Sequence, residues 1–215
     1  MSAASLGVQD IRSIVSGIAL LMAEKKDELI RLDGAMGDGD LGLTMDKGFS
    51  AARDEAATTD EPDLGKFLMK IGMVIARSAP STMGTLMATG FMSGGKAVTG
   101  KTDLGAGELA AFFEAFTAGI MQRGKSKPGE KTVVDVLLPA SRALTAAVSS
   151  GDSLPDAFRK LGEAAAAGRA QAKEMIAQHG RLAYYQEQSK GHEDPGAVAC
   201  IYMLQGFVDY ICGPA

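Results

Sequence analysis

Apolar residues recur at helical spacing along almost the whole chain, and this pattern limits the fold more than any other feature of the sequence. In the first segment Ile11, Ile14 and Ile18 share one helix face, which is typical of an amphipathic helix. Because the breaks between most such segments are short, consecutive helices should be antiparallel neighbours. The pattern predicts an all-α bundle of about eight helices. The predicted helices cover residues 11–32, 44–57, 63–78, a stretch ending at 97, 105–123, 130–150, 153 to about 178, and 194–212.

Nothing in the sequence divides the chain, so residues 1–215 are predicted to form a single domain. Hydrophobic residues make up 46% of the chain and charged residues 22%, which provides enough apolar surface for a substantial core. The one β-like run, residues 133–138, continues its apolar pattern to Ala140 and Leu144. That length is typical of a helix, and we predict a buried helix there.

Charge and cysteine content argue against several classes of protein. A net charge of -4 does not suit a surface that neutralises many phosphates, so no nucleic-acid partner is expected. Cys200 and Cys212 have apolar neighbours and no zinc-ligand spacing, and they are expected to be free thiols in a reducing cytoplasm. The N-terminus lacks the pattern of a secretory signal, and no apolar run approaches the ~20 residues that span a bilayer. We therefore expect a cytoplasmic protein that does not enter a membrane.

Three aspartates lie close together in the Gly-rich segment LDGAMGDGDLG, between the first two predicted helices. If Asp33, Asp38 and Asp40 turn inward together, a divalent cation would offset their mutual repulsion. An EF-hand needs a Glu at the twelfth loop position, where this chain has Phe49 or Thr44 depending on the starting residue. Mg²⁺ takes one or two carboxylates together with substrate phosphates, so the segment suits a Mg-nucleotide. Ordinary Asp-Gly turns that cap the next helix are the alternative.

Other breaks offer weaker candidates for holding an anion. The segment 81–85 precedes a predicted helix, where backbone N–H groups and hydroxyls can bind phosphate. Neither a Walker P-loop nor a Gly-x-Gly-x-x-Gly fingerprint occurs, so phosphate binding would use another scheme. The basic loop 124–132 is expected to be a solvated helix connection. Arg181 has a guanidinium suited to phosphate oxygens, while Asp194 followed by Pro195 also makes an ordinary helix start.

Three separated motifs, in this order, make the sequence similar to a known family. They are LDGAMGDGDLGLTMDKGF, GKSKPGEKTVVDVLLP and GRLAYYQEQSKGHEDPGA. With these motifs, nearly the whole chain resembles the ADP-binding L subunit of bacterial dihydroxyacetone kinase and the related C-terminal domain of ATP-dependent forms. The resemblance implies a closed antiparallel barrel of about eight helices with a Mg-nucleotide site at one end.

By position, the resemblance assigns roles to individual residues. Asp33, Asp38 and Asp40 would ligate a pair of Mg²⁺ ions that bridge to the phosphates of ADP or ATP. Arg181 would reach the phosphates and stabilise the transferring group electrostatically, as the catalytic residue of this chain. The other residues expected to contact the nucleotide are Leu41, Gly42, Thr44, Thr82, Met83, Gly124, Val133, Asp194, Pro195 and Gly196.

The resemblance also implies partners. The ketose would be held by a separate K-type subunit, through a hemiaminal to a histidine of that subunit, so this chain would supply half of an active site. In some forms a phosphotransferase-system phosphocarrier subunit would rephosphorylate bound ADP, whereas others use free ATP. The sequence leaves both phosphoryl donors open, and it leaves a homodimer open as well.

The chain departs from the family pattern next to the aspartates. Many L subunits have His at the position of Leu41, Asn at that of Thr44, and a Gly-Gly-Ala-Ser-Gly run where this chain has residues 80–84. These differences leave room for a kinase that acts on a tetrose ketose such as erythrulose. The nucleotide domain of a fatty-acid kinase and a non-catalytic nucleotide-binding regulator are further alternatives. A fatty-acid kinase normally has a longer chain, which disfavours it.

Overall fold

The computed structural model describes residues 5–213, and most of these residues are helical, as predicted. A 3₁₀ segment, Arg181–Ser189, precedes the last helix, and two short strands, β1 (Ser5–Leu6) and β2 (Leu104–Gly105), pair antiparallel. The all-α prediction is therefore confirmed. The α-helices are α1 (Val8–Glu24), α2 (Lys26–Met36), α3 (Leu41–Thr58), α4 (Leu64–Ser78), α5 (Thr82–Ala97), α6 (Ala106–Gly124), α7 (Val134–Ser149), α8 (Leu154–Lys173) and α9 (Pro195–Cys212).

The helices other than α2 form a closed ring. From α3 to α9 each helix packs against the next, and α1 packs against both α3 and α9, which closes the barrel. The remaining helix, α2, follows α1 and packs against α3 and α9. Residues from the starts of α3, α5, α7 and α9 line one cavity, so these four helices begin at the same end of the barrel. The ring of eight helices confirms the predicted barrel.

Phenylalanine rings from five helices form a connected cluster in the core. Phe91 of α5 meets Phe116 of α6 edge to face with ring centroids 5.4 Å apart, and Phe113 of α6 meets Phe207 of α9 at 5.1 Å. A Cβ at Gly90 would lie 2.7 Å from the Phe116 ring, so glycine is what lets α5 and α6 approach this closely. This packing fixes the relative positions of the helix ends that carry the site.

The predicted first helix is in fact two helices. The chain turns at Lys25, with φ −89° and ψ 4°, and continues as α2. The charged run 24–28 has no apolar side chain to bury, whereas Leu29 beyond it is fully buried and directs α2 against its neighbours. Because α2 continues to Met36, Asp33 lies in its last turn and not in the loop that the glycines predicted.

Two later helices are shorter than predicted. α7 begins at Val134 and not at residue 130, because the Asp135 carboxylate accepts hydrogen bonds from Gly129 N (2.6 Å) and Thr132 N (2.8 Å). These bonds hold the preceding residues in a turn outside the helix. α8 ends at Lys173, short of residue 178, and the chain then leads into the 3₁₀ segment, which apolar periodicity did not predict.

Within residues 5–213, α9 alone is long and apolar enough to cross a membrane, with a mean hydropathy of 1.2 over 18 residues. Half of this segment is buried inside the barrel, with Cys200 and Phe207 in the core. A helix that packs on two neighbours and faces the core needs the same composition. Its place in the ring accounts for its hydropathy.

Candidate functional site

A cavity of about 550 Å³ opens at the end of the barrel where α3, α5, α7 and α9 begin. Unpaired backbone N–H groups make each helix N-terminus electropositive. Ser81 and Asp194 cap two of these helices, since their side chains accept hydrogen bonds from Gly84 N (3.0 Å) and Ala197 N (2.8 Å). The helix start that Asp194 and Pro195 were expected to make is observed. The convergence of N-termini favours an anionic ligand such as a phosphate.

Asp33, Asp38 and Asp40 meet at this cavity, and we call them the acidic cluster. One carboxylate oxygen from each lies within 4.8 Å of those from the other two. Asp40 immediately precedes α3, and Asp38 lies in the turn between α2 and α3. Leu41 N donates a hydrogen bond to Asp33 Oδ2 (3.3 Å), which ties the two ends of the turn together. The fold thus brings together the three aspartates that the sequence singled out.

The surroundings of the acidic cluster disfavour a full set of negative charges. Partial burial raises the pKa of Asp33 above its ordinary value of 3.8, and the charges of Asp38 and Asp40 raise it further, against the hydrogen bond from Leu41. Asp33 also lies at the electronegative C-terminal end of α2. A bound cation would relieve both effects. Three carboxylates, two of them exposed to solvent, suit Mg²⁺, which retains waters and takes few protein ligands.

Arg181 faces the acidic cluster from the start of the 3₁₀ segment. Its Nη2 lies 2.5 Å from Asp38 Oδ2, with 64% of the arginine side chain and 38% of the aspartate side chain exposed. An ion pair this exposed to water is weak, so the guanidinium can exchange the carboxylate for phosphate oxygens at little cost. The structure therefore has a guanidinium suited to phosphate oxygens beside the candidate metal site.

A second part of the cavity wall is apolar. A Cβ at Gly196 would lie 3.1 Å from Val133 Cγ1 and 3.4 Å from Met83 Sδ, so residues from α5, α9 and the start of α7 are in close contact here. Val133 and Met83 are both buried. Apolar side chains around a glycine backbone suit the flat face of a nucleotide base. Three residues that were expected on the nucleotide are thus adjacent in the fold.

Asp194, which caps α9, is a half-buried carboxylate in the wall of the cavity. Burial raises its pKa to about 6, while the hydrogen bond from Ala197 and the charge of Lys131 act in the opposite direction. The carboxylate therefore has a buried cation as its electrostatic partner within the wall of the cavity.

Lys131 is a buried residue of the cavity wall that the sequence did not single out. The loop 124–132 was expected to be solvated, and this is wrong for Lys131, which is 1% exposed, and for Ser126, which is 7% exposed. Lys131 Nζ donates hydrogen bonds to the carbonyl oxygens of Lys173 (2.9 Å) and Met175 (3.1 Å). These acceptors are more than 40 residues away in the chain, so no local spacing marks the lysine. Its position inside one of the three motifs was the available signal.

The cavity contains all the predicted site residues except Gly42 and Thr44. A Cβ at Gly42 would lie 2.2 Å from the carbonyl oxygen of Lys26, so Gly42 serves the close packing of α2 against α3. Thr44 lies in the first turn of α3, where its N–H donates to Asp40 O (2.9 Å). The predicted residues that line the cavity are Asp33, Asp38, Asp40, Leu41, Thr82, Met83, Gly124, Val133, Arg181, Asp194, Pro195 and Gly196. The lining residues to which no role had been assigned include Met36, Leu86, Ser126, Lys131, Thr132, His179 and Leu182.

The sequence is similar to proteins of known activity. It is 31% identical over 185 residues to the ADP-binding DhaL subunit of the PEP-dependent dihydroxyacetone kinase of Escherichia coli, covering 86% of this chain and 88% of the relative. It is 37% identical over 186 residues to the corresponding subunit of dihydroxyacetone kinase 1 of Listeria innocua, covering 86% and 87%. The L-erythrulose kinase of Pectobacterium atrosepticum is 31% identical over 179 residues, which cover 82% of this chain and 30% of that enzyme.

The fold is similar to that of a solved kinase. The structure of dihydroxyacetone kinase from C. freundii in complex with AMP-PNP and Mg²⁺ superposes with a TM-score of 0.73 at 21% identity. The match covers 97% of this chain and 35% of the longer one. The DAK2 domain family model matches residues 35–209. The resemblance that three motifs indicated is confirmed, and this chain belongs to the DAK2 domain family and, within it, to the DhaL subunits of dihydroxyacetone kinase.

Proposed function

We propose that this chain holds Mg-ADP or Mg-ATP in the cavity at the end of the barrel and positions it for phosphoryl transfer to a small ketose on a K-type partner subunit. The observation that carries the proposal is the convergence of the acidic cluster, the Arg181 guanidinium and four helix N-termini on one cavity. Carboxylates without a phosphate-binding region would suit a structural cation, and helix ends without carboxylates would suit a simple anion. Their combination suits a metal-bound polyphosphate.

The acidic cluster would hold a pair of Mg²⁺ ions, with Asp33, Asp38 and Asp40 as protein ligands. When bound, magnesium supplies positive charge that draws electron density from the β- and γ-phosphate oxygens. Arg181 would leave Asp38 and turn to the phosphates, where its planar fork stabilises charge on the transferring group. The N-terminus of α5, capped by Ser81, would add backbone N–H donors at the same oxygens.

The base would lie against the apolar part of the wall, between Met83, Val133 and Gly196. Leu41, Thr82 and Gly124 would complete the contacts around the nucleotide, and Asp194 with Pro195 would close the site beside them. Gly42 would act by letting α2 approach α3, and Thr44 by supporting the first turn of α3. No general base on this chain is required, because phosphoryl transfer depends on positioning and charge neutralisation.

The acceptor would come from another subunit. Several relatives are named as subunits of PEP- or PTS-dependent kinases, which supports both a K-type partner and a phosphocarrier that recharges bound ADP. We propose that the assembly is cytoplasmic, with no membrane or nucleic-acid partner. A homodimer of this chain is compatible with the proposal but not needed for it.

Binding of Mg-ADP tests the first half of the proposal. Isothermal titration calorimetry of the wild-type chain should detect binding that disappears when Mg²⁺ is removed by EDTA. Asp38→Ala should abolish this binding and leave the far-ultraviolet circular dichroism unchanged, because Asp38 is exposed in the turn between α2 and α3. Asp60→Ala, which removes an exposed carboxylate near the start of α4, is the matched control and should bind normally. Tight binding by a well-folded Asp38→Ala protein would contradict the assignment.

Ketose phosphorylation tests the second half. The chain is combined with its K-type subunit and either ATP or the phosphocarrier system, and phosphorylated dihydroxyacetone is measured. A second substrate, erythrulose, is included because 82% of this chain aligns with part of L-erythrulose kinase at 31% identity. Faster turnover of erythrulose would favour that alternative. Nucleotide binding without transfer to either ketose would favour a regulatory role.

A further inference from the structure

Two loops that carry opposite parts of the nucleotide site are fastened to each other. The loop 125–133 ends at Val133 on the apolar wall, and the loop 174–190 contains Arg181. Glu130 O accepts a hydrogen bond from Gln178 N (3.1 Å), and Glu130 Oε2 lies 2.7 Å from His179 Nε2. These bonds hold the outer edges of the two loops together.

Lys131 makes the inner connection. Its Nζ donates to the carbonyl oxygens of Lys173 and Met175, at the point where α8 ends and the 174–190 loop begins. The carbonyl of Lys173 also accepts a hydrogen bond from Gly191 N (2.8 Å), so the two ends of the 174–190 loop are joined at this carbonyl. The ammonium group therefore lies at the closed base of the loop that carries Arg181. We call this arrangement the lysine clamp.

Burying an ammonium group is costly, which makes the lysine clamp an unusual way to end a helix. Among the described residues, Lys131 is the only Lys or Arg whose side chain is buried. This burial lowers its pKa below the ordinary value of 10.5. The last carbonyls of a helix can be satisfied without this cost, either by backbone N–H groups in a turn that a glycine allows or by an exposed lysine side chain. The backbone of Lys131 is also in the left-handed region, with φ +56°, which an ordinary side chain adopts only when its surroundings require it.

We propose that Lys131 is a positioning residue of the nucleotide site, whose buried ammonium holds the base of the 174–190 loop and thereby sets the Arg181 guanidinium at a fixed distance from the apolar wall at Val133. The inference rests on the proposed function, since it assigns the distance to a bound nucleotide whose phosphates meet Arg181. Lys131 itself contacts neither metal nor phosphate in this account. Its removal should therefore weaken binding mainly through Arg181, with a smaller contribution from its charge beside Asp194.

A double-mutant cycle on Mg-ADP affinity distinguishes this role from a general loss of structure. Lys131→Met keeps the length of the side chain and removes the ammonium, and Arg181→Gln removes the guanidinium. We expect Lys131→Met alone to weaken Mg-ADP binding by about tenfold, but by less than about threefold in the Arg181→Gln background. Affinity for Mn²⁺ alone, measured by electron paramagnetic resonance, should change by less than about threefold, because Lys131 lies on another segment and reaches the acidic cluster only through the weak, exposed pair of Arg181 with Asp38.

Lys127→Met is the matched control, since Lys127 is an exposed lysine of the same loop, and it should bind Mg-ADP like the wild type. Binding by Lys131→Met within about twofold of the wild type, or losses that multiply in the double variant, would overturn the proposal. If Lys131→Met does not fold, Glu130→Ala opens the same pair of loops from the solvent side. It should weaken binding by about threefold, and this loss should again vanish with Arg181→Gln. Failure of the wild-type chain to bind Mg-ADP would instead refute the proposed function.

Discussion

The acidic cluster and the lysine clamp form two sides of one cavity and are held in opposite ways. The cluster is partly exposed, carries like charges at close range, and is balanced in this structure by a weak ion pair. The clamp is buried, and its ammonium donates to backbone carbonyls at short range. The acidic cluster is therefore less stable without a bound cation. The loops joined by the lysine clamp are already ordered, so nucleotide binding need not supply the free energy to order them.

The largest expected effect on the free energy of unfolding is on the side of the cavity that carries the lysine clamp. Asp135→Asn leaves one of two partly buried hydrogen bonds, from Gly129 N or Thr132 N, without its acceptor, because an amide has one oxygen where the carboxylate has two. We expect a loss of about 2 kcal/mol in the free energy of unfolding, measured by urea denaturation. The exposed Asp103→Asn should change it by less than about 0.5 kcal/mol. A loss below about 1 kcal/mol for Asp135→Asn would mean that this turn is not rigidly held.

A pH-dependent effect is expected at Asp194. Its pKa of about 6 in the folded protein exceeds the ordinary 3.8, so the folded state binds the proton more tightly than the unfolded state. The stability contribution of this carboxyl should therefore fall as pH rises from about 4 to about 6. Asp194→Asn keeps the cap on Ala197 N and removes the titration. The variant should gain about 1–2 kcal/mol relative to the wild type between about pH 4 and pH 7, and a constant difference across that range would contradict the expectation.

At the acidic cluster a substitution should raise the melting temperature without ligand and lower it, relative to the wild type, with Mg-ADP. Asp33→Asn removes a carboxylate whose pKa is raised, and its amide oxygen can still accept the hydrogen bond from Leu41. In EDTA we expect the melting temperature to rise by about 1–2 °C, a small gain because solvent screens the site. With Mg-ADP the order should invert, since only the wild type is stabilised by the ligand. A variant that is less stable in EDTA would show that the cluster is not strained.

The smallest effect on stability is expected at Arg181. Arg181→Gln breaks an exposed ion pair with Asp38, so the free energy of unfolding should change by less than about 0.5 kcal/mol. Mg-ADP affinity should nevertheless fall by about tenfold, because the guanidinium is the side chain assigned to the phosphates. Arg53→Gln, which breaks the exposed pair with Asp54, is the control and should affect neither quantity. A large loss of stability in Arg181→Gln would mean that the pair is structural.

Most of the fold could be predicted from periodicity, because each helix of a closed ring carries an apolar face that repeats every turn. The break at Lys25 could not, since it depends on where Leu29 finds a buried place against other helices. The early end of α8 could not be predicted either, because the carbonyls at that end are satisfied by Lys131 from another segment. Local patterns carry no record of such partners.

The candidate site divides in the same way. The sequence by itself determined the acidic cluster, the capped start of α9 and the family, since these depend on residues that are neighbours in the chain or stand in recognisable motifs. Only the tertiary structure decided that Lys131 is buried, that Gly42 faces α2 and that Arg181 meets Asp38. Burial and long-range hydrogen bonds arise when distant segments meet, and the chemistry of a side chain does not specify which segment it will meet.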